Sequence, residues 1–175
     1  MERENRRILD GGLIHTVFQP VVGLQDGEVT GYEALSRISG ESSIGNIDNL
    51  FTQAVRCGCL WELELLCRTR ALEAAGPLFR GKSGKKLFLN VNPGILHDPA
   101  YVRGITGRKL AEYGICPAQV VFEISERSMA ADLDAFSRIV THYRTQGFQV
   151  AIDDVGAGFS GLNRISMIRP DYIKL

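Results

Sequence analysis

Strand after strand in this chain ends in a side chain carrying a charge or an amide, and that regularity limits the folds open to it. Short runs rich in Val, Ile, Phe and Leu occupy residues 17–22, 29–35, 87–91, 120–124, 150–152 and 172–175, and such runs read as strands. Glu33 closes residues 29–32, Asn90 sits within its run, Glu123 follows 120–122, Asp153 and Asp154 follow 150–152, and Lys174 follows Tyr172-Ile173. Longer stretches with helical spacing lie at 46–56, 60–75, 99–113, 132–146 and 160–168. Asp98-Pro99 predicts an N-cap followed by proline at the first helical position, and Gly76, Gly114 and Gly147 stand where helices are expected to end. Only residues 23–28 separate the first two strands, and Gln25-Asp26-Gly27 is turn chemistry, so these two form a hairpin. Thereafter strand and helix alternate. That order implies a parallel sheet covered by helices, as a barrel or as an open doubly wound sheet.

In parallel α/β folds the carboxyl ends of the strands and the loops after them make the functional face, so the polar strand ends converge there. Gathered carboxylates repel one another unless a cation neutralises them. An oxygen-only set of carboxylates and an amide suits Mg²⁺ or Mn²⁺ better than zinc. Period-two geometry places Glu33, Leu35 and Arg37 on one face, an acid able to hold a metal two steps from a guanidinium able to grip a phosphate. An ordinary Glu33–Arg37 ion pair is the competing reading. The register of Asn90, Glu123, Asp153 and Asp154 favours the functional one.

Composition excludes other classes. With 20 basic and 20 acidic residues among 175, the charge is balanced, and no DNA or RNA polymer is expected as a partner. The start is charged and Asp10-Gly11-Gly12 interrupts the apolar residues after it, which is not a signal-peptide core. No apolar run approaches the roughly 20 residues that span a bilayer, so a soluble cytoplasmic protein with no membrane passage through this segment is expected. Cys57, Cys59, Cys67 and Cys116 read as reduced thiols, because Cys-x-Cys followed by a helical Cys is not a standard zinc spacing. The stretch at 81–86 has the composition of a phosphate loop, but it precedes a strand and lacks the Walker spacing, so it reads as a solvated loop.

Several ordered motifs resemble one family. Phe18-Gln19-Pro20-Val21-Val22 and Gly31-Tyr32-Glu33-Ala34-Leu35-Ser36-Arg37 resemble the opening of EAL domains, with the naming triplet intact. Asn90-Val91-Asn92-Pro93 is similar to the family's Asn-x-Ser segment, and Phe122-Glu123-Ile124-Ser125-Glu126 to its Glu-x-x-Glu strand. Asp153-Asp154-Val155-Gly156-Ala157-Gly158-Phe159-Ser160-Gly161-Leu162 resembles the signature loop, and Asp171-Tyr172-Ile173-Lys174-Leu175 the strand after it.

The resemblance implies a TIM-like barrel with an antiparallel first strand that hydrolyses cyclic di-GMP to linear pGpG, using Mg²⁺ or Mn²⁺, two per complete site. By motif, Glu33, Asn90, Glu123 and Asp153 would hold the first metal, with Asp154 near the second. Lys174 would position or deprotonate the attacking water, Gln19, Leu35 and Arg37 would face substrate, and Glu126 would anchor the signature loop. The bland alternatives are that Gln19 only satisfies backbone groups and that Glu126 caps a helix beginning near Ala131. Val155 and Ala157 replace an aromatic and a threonine, and Asn92 replaces a serine. The family's pattern continues past the strand of Lys174 with an aspartate, two more strands, a glutamate and a glutamine, so a chain ending at Leu175 is expected to be C-terminally incomplete and poor at turnover by itself. Open sheet edges would then be covered by further chain or a partner. A homodimer, and sensory or cyclase domains in a longer parent chain, fit the family. The rival from another class is a non-catalytic cyclic-dinucleotide-binding or interaction module.

Overall fold

The computed structural model describes residues 2–79, 84–156 and 162–175. Helix α1 (Glu2–Asp10) leads into strands β1 (Ile14–Val22) and β2 (Val29–Ile38), followed by α2 (Ile47–Cys57) and α3 (Leu60–Phe79). Then come β3 (Lys86–Asn90), α4 (Ile105–Tyr113), β4 (Val120–Ser125), α5 (Glu126–Ala131), α6 (Leu133–Arg144), β5 (Gln149–Asp153), α7 (Leu162–Ile168) and β6 (Tyr172–Ile173). The stretch at 81–86, expected to be a solvated loop, lies partly outside the described residues, as do Ala157 to Gly161 of the signature loop and the expected start of the last helix.

The expected hairpin forms. Gly23 N donates to Glu28 O at 2.9 Å, Asp26 Oδ1 accepts from Glu28 N at 3.0 Å, and β1 pairs antiparallel with β2. The remaining pairs are parallel, and the six strands lie in the order β1-β2-β3-β4-β5-β6. This order decides between the two sheet types. A doubly wound sheet reverses its strand order and puts helices on both faces, whereas right-handed crossovers in one unreversed order put them all on one side.

Each strand therefore has a helix face and an inner face. Leu87, Leu89, Val120, Phe122, Ile124, Val150 and Ile152 pack in the main core, where Phe122 stacks on Tyr143 with ring centroids 3.8 Å apart. The alternate residues Phe88, Val121 and Ala151 form a separate inner cluster with Val21 and Tyr172. Strongly curled strands are needed for that cluster, because Phe88 and Tyr172 touch at 5.5 Å between centroids although β4 and β5 lie between their strands. The sheet is a barrel wall, and no ladder joins β6 back to β1 among the described residues.

Gly31 shows how tightly the wall is built. A Cβ there would lie 2.2 Å from Lys86 O and 2.8 Å from the Phe88 ring. Gly31→Ala is expected to lower the unfolding free energy by about 1–3 kcal/mol, because the backbone of β3 cannot move aside cheaply. A urea titration checks this, and an unchanged midpoint would show that the wall relaxes.

Several helix boundaries differ from expectation. Gly76 does not end α3: the helix continues through Pro77 to Phe79, and Gly76 instead admits Tyr113, whose Cβ is 3.3 Å from where a Cβ on Gly76 would be. Asp98 does not cap its own helix. Its Oδ2 accepts from Trp61 N at 2.9 Å, at the start of α3, its Oδ1 accepts from Ala100 N at 2.9 Å, and α4 begins only at Ile105. The charged opening forms α1, which buries Ile8 and Leu9 against Ile14, Leu50 and Leu63.

Candidate active site

The polar strand ends follow from the inner-face alternation. Beyond Phe88 on β3 stands Asn90, beyond Val121 on β4 stands Glu123, and beyond Ala151 on β5 stands Asp153, each two residues on and therefore on the same face. Glu33 has the inner parity on β2, Gln19 is registered opposite it on β1, and Lys174 lies two residues past the inner Tyr172. An apolar layer thus carries a polar one.

Lys174 Nζ is the focus of that layer. It lies 2.7 Å from Glu33 Oε2, 2.6 Å from Glu123 Oε1 and 3.3 Å from Asp153 Oδ1. In a flat sheet, neighbouring strands at about 4.8 Å would set β2 and β6 about 19 Å apart. The curl closes that gap and joins residues 141 positions apart in sequence. Asn90 Nδ2 donates to Glu33 Oε1 at 2.7 Å.

Crowding and burial set the charge states. Burial, with the Glu33 charge adding to it, pushes the Glu123 carboxyl up to about 8 against the pull of Lys174. Burial also works against ionisation of Glu33, but hydrogen bonds from Lys174 and Asn90 outweigh it and hold that carboxyl below the ordinary range. For Lys174 burial opposes the charge, and Glu123 and Glu33 more than reverse it, so the ammonium is held well above its usual pKa.

The donor set fits a divalent cation. Glu33, Glu123 and Asp153 each offer an oxygen within 4.8 Å of the others, and they are the group of that kind among the described residues. Glu123 is 1% exposed, and its Oε2 has no hydrogen-bond partner among the described residues. A buried carboxylate oxygen without a donor is what a metal ligand looks like in the absence of its metal. None of the four cysteines belongs to this cluster; all are free thiols in the structure.

Beside the cluster lies a cavity of about 420 Å³, lined among others by Glu33, Leu35, Arg37, Asn90 and Glu123. Arg37 does not pair with Glu33; its Nη1 donates to Ser36 O at 2.9 Å, and the side chain is exposed. The structural ion pair considered for these two residues is thus not formed, because Lys174 and Asn90 occupy both oxygens of Glu33.

The segment after β5 is tied down on either side of the aspartates. Lys174 N donates to Ile152 O at 2.9 Å, Val155 N to Lys174 O at 3.0 Å, and Gly156 N to Glu126 Oε2 at 3.2 Å. Asp154, exposed between these ties, adopts a left-handed backbone with φ 58°, a conformation that aspartate tolerates better than most residues. Glu126 does not cap a helix near Ala131: it is the first residue of α5, Ser125 is that helix's N-cap, and Asp132 caps α6. Asn92, in the place of the expected serine, accepts from Gly94 N at 2.9 Å and caps the 3-10 turn Pro93–His97.

A family model described as the EAL domain matches residues 2–175. The chain belongs to the EAL domain family. Among curated relatives, it is 28% identical over 165 residues to the EAL-domain containing protein YkuI of Bacillus subtilis, covering 90% of this chain and 39% of that protein. It is 27% identical over 183 residues to RocR of Pseudomonas aeruginosa, a cyclic di-GMP phosphodiesterase, covering 97% of this chain and 43% of that one. This EAL chain therefore spans about two fifths of the length of those two relatives. Its fold matches Klebsiella pneumoniae BlrP1 in complex with calcium and cyclic di-GMP, with a TM-score of 0.75 and 30% identity over 94% of this chain and 40% of that one. BlrP1 in complex with manganese and cyclic di-GMP matches equally, with a TM-score of 0.75. The architecture is that of the TIM-like EAL barrel. No described helix is long and apolar enough to cross a membrane.

A buried pair on α3, Glu64 with Arg68, escaped the sequence reading. Its only sequence signal is two opposite charges four apart on a helix, which most often mark a solvated face.

Proposed function

We propose that this EAL domain binds cyclic di-GMP over the carboxylate cluster and that, in the protein of which it is part, it hydrolyses one phosphodiester bond to yield linear pGpG. The convergence of Glu33, Glu123, Asp153 and Lys174 on one point beside a cavity that Arg37 also lines carries this reading. Glu33, Asn90, Glu123 and Asp153 would hold a first Mg²⁺ or Mn²⁺, and Asp154 stands on the loop where a second would be held. Divalent cations bound there supply a more acidic water and neutralise charge building on the phosphate.

The chain's own residues do the rest. Lys174, a donor with no acceptor, orients the attacking water by hydrogen bonding to it. Arg37 grips a phosphate oxygen, Gln19 and Leu35 bound the substrate's place, and Glu126 holds the segment of Asp153 and Asp154 through Gly156.

The test joins binding to turnover. With Mn²⁺ at a hundredfold excess over its Kd, the protein is expected to gain about 2.7 kcal/mol of stability. Glu33→Ala should abolish both that gain and the pGpG that chromatography detects after the whole protein is incubated with cyclic di-GMP. An undiminished gain in the variant would show that Glu33 is not a ligand. Metal and nucleotide binding with no pGpG would favour a recognition module.

A further inference from the structure

Behind the carboxylate layer, on the cavity wall, lies a buried ion pair that neither metal binding nor the water-orienting lysine employs. Glu64 and Arg68 stand one turn apart on α3, with Arg68 Nη2 3.1 Å from Glu64 Oε2 and side chains 3% and 4% exposed for Arg68 and Glu64. Such a pair is often no better for stability than apolar residues of the same volume. Its contacts give it a different use. Arg68 Nη1 donates to Thr106 Oγ1 at 2.8 Å and Nη2 to Tyr143 OH at 3.2 Å, while the guanidinium lies 4.9 Å from the Phe122 ring centroid. Held by Arg68, Glu64 turns its other oxygen to the backbone and accepts from Asn92 N at 2.8 Å.

Residues 90–92 are consequently tied at three successive points. Asn90 donates to Glu33 through its side chain, Val91 N donates to Glu123 O at 3.0 Å, and Asn92 N donates to Glu64. Phe122, beneath the guanidinium, directly precedes Glu123. The pair thus backs both strands that present Asn90 and Glu123 to the cluster.

We propose that Glu64 is a positioning residue of the metal site: its side-chain oxygen, by accepting from Asn92 N, fixes the backbone there and so holds Asn90 in line with Glu33 and Glu123. This rests on the metal-binding reading of the cluster.

Two double variants separate positioning from charge. Arg68→Met with Glu64→Gln removes the ion pair and keeps an oxygen that accepts from Asn92 N; Arg68→Met with Glu64→Leu removes both. Titration calorimetry with Mn²⁺ should give the Gln pair an affinity within about threefold of the unaltered protein, and the Leu pair one weaker by roughly 10–100-fold. Hydrogen exchange at the Asn92 amide should quicken in the Leu pair alone. If the Leu pair does not fold, Glu64→Met in the same background supplies the acceptor-free comparison, since an unbranched thioether fills irregular gaps. Equal Mn²⁺ affinities in the two double variants would overturn the proposal. If the unaltered protein binds no Mn²⁺ while its Asn92 amide exchanges slowly, the metal reading of the cluster falls, and this role falls with it.

Discussion

Replacing Lys174 with alanine should cost about 3 kcal/mol of folding stability in a chelating buffer, and clearly less in saturating Mn²⁺. The ammonium touches Glu33, Glu123 and Asp153, and the side-chain exposures of all four groups run from 0% to 24%. Removing it leaves three acids facing one another with no counter-charge. The expected loss sits at the low end for a broken buried pair, because Glu123, pushed up to about 8, is already largely protonated near neutral pH and adds little to the repulsion. A divalent cation on the same oxygens would restore the counter-charge. Urea titrations of both proteins, with EDTA and with Mn²⁺, measure the difference. An equal loss in the two buffers would mean that the metal does not share the ammonium's oxygens. Turnover of cyclic di-GMP should fall by about 10²–10⁴-fold even with metal present, since the group that orients the water is gone.

A comparable loss is expected from a residue with no chemistry. Phe122 stacks on Tyr143 at 3.8 Å, meets Phe148 edge-on at 5.1 Å and supports the Arg68 guanidinium at 4.9 Å. It is fully buried on a strand covered on both faces. Phe122→Ala should therefore destabilise the protein by about 3–5 kcal/mol, from lost apolar burial and the cavity left behind. In a domain of this size that corresponds to a fall in Tm of roughly 10 °C. Thermal melts read by circular dichroism check it, and a fall of under about 2 °C would mean that the aromatic cluster collapses to fill the space.

The two sites differ in how far the chain reveals them. Phe122 lies in the apolar run 120–124 that reads as a strand, whereas the partners of Lys174 lie as far as 141 positions away. Gly76 and Asp98 mark the limits of local rules. A glycine after an apolar helical run usually ends the helix, but here Tyr113 from α4 packs against it and the helix runs on. An aspartate before proline usually caps the next helix in the chain, but here it caps α3. In both cases a neighbour distant in the chain offered the better contact.

What the amino-acid order determined by itself is short-ranged: the strand segments, the hairpin at Gln25-Asp26-Gly27, the polar strand ends Glu33, Asn90, Glu123, Asp153 and Lys174, and the period-two placing of Glu33, Leu35 and Arg37 on one face. These depend on torsional preference and side-chain alternation over a few residues. Barrel or open sheet was not decidable at that range, because both are built from the same strand-helix units. Only the tertiary structure decided it, through the unreversed strand order and a curl strong enough to bring β6 across to β2. The curl arises from twist accumulated over several strands and from inner side chains, Phe88 against Tyr172, that must meet to exclude water. The same closure turns a row of polar strand ends into one cluster and seats Glu64 and Arg68 behind it. Their partners Asn92, Thr106 and Tyr143 come from segments that no local pattern links.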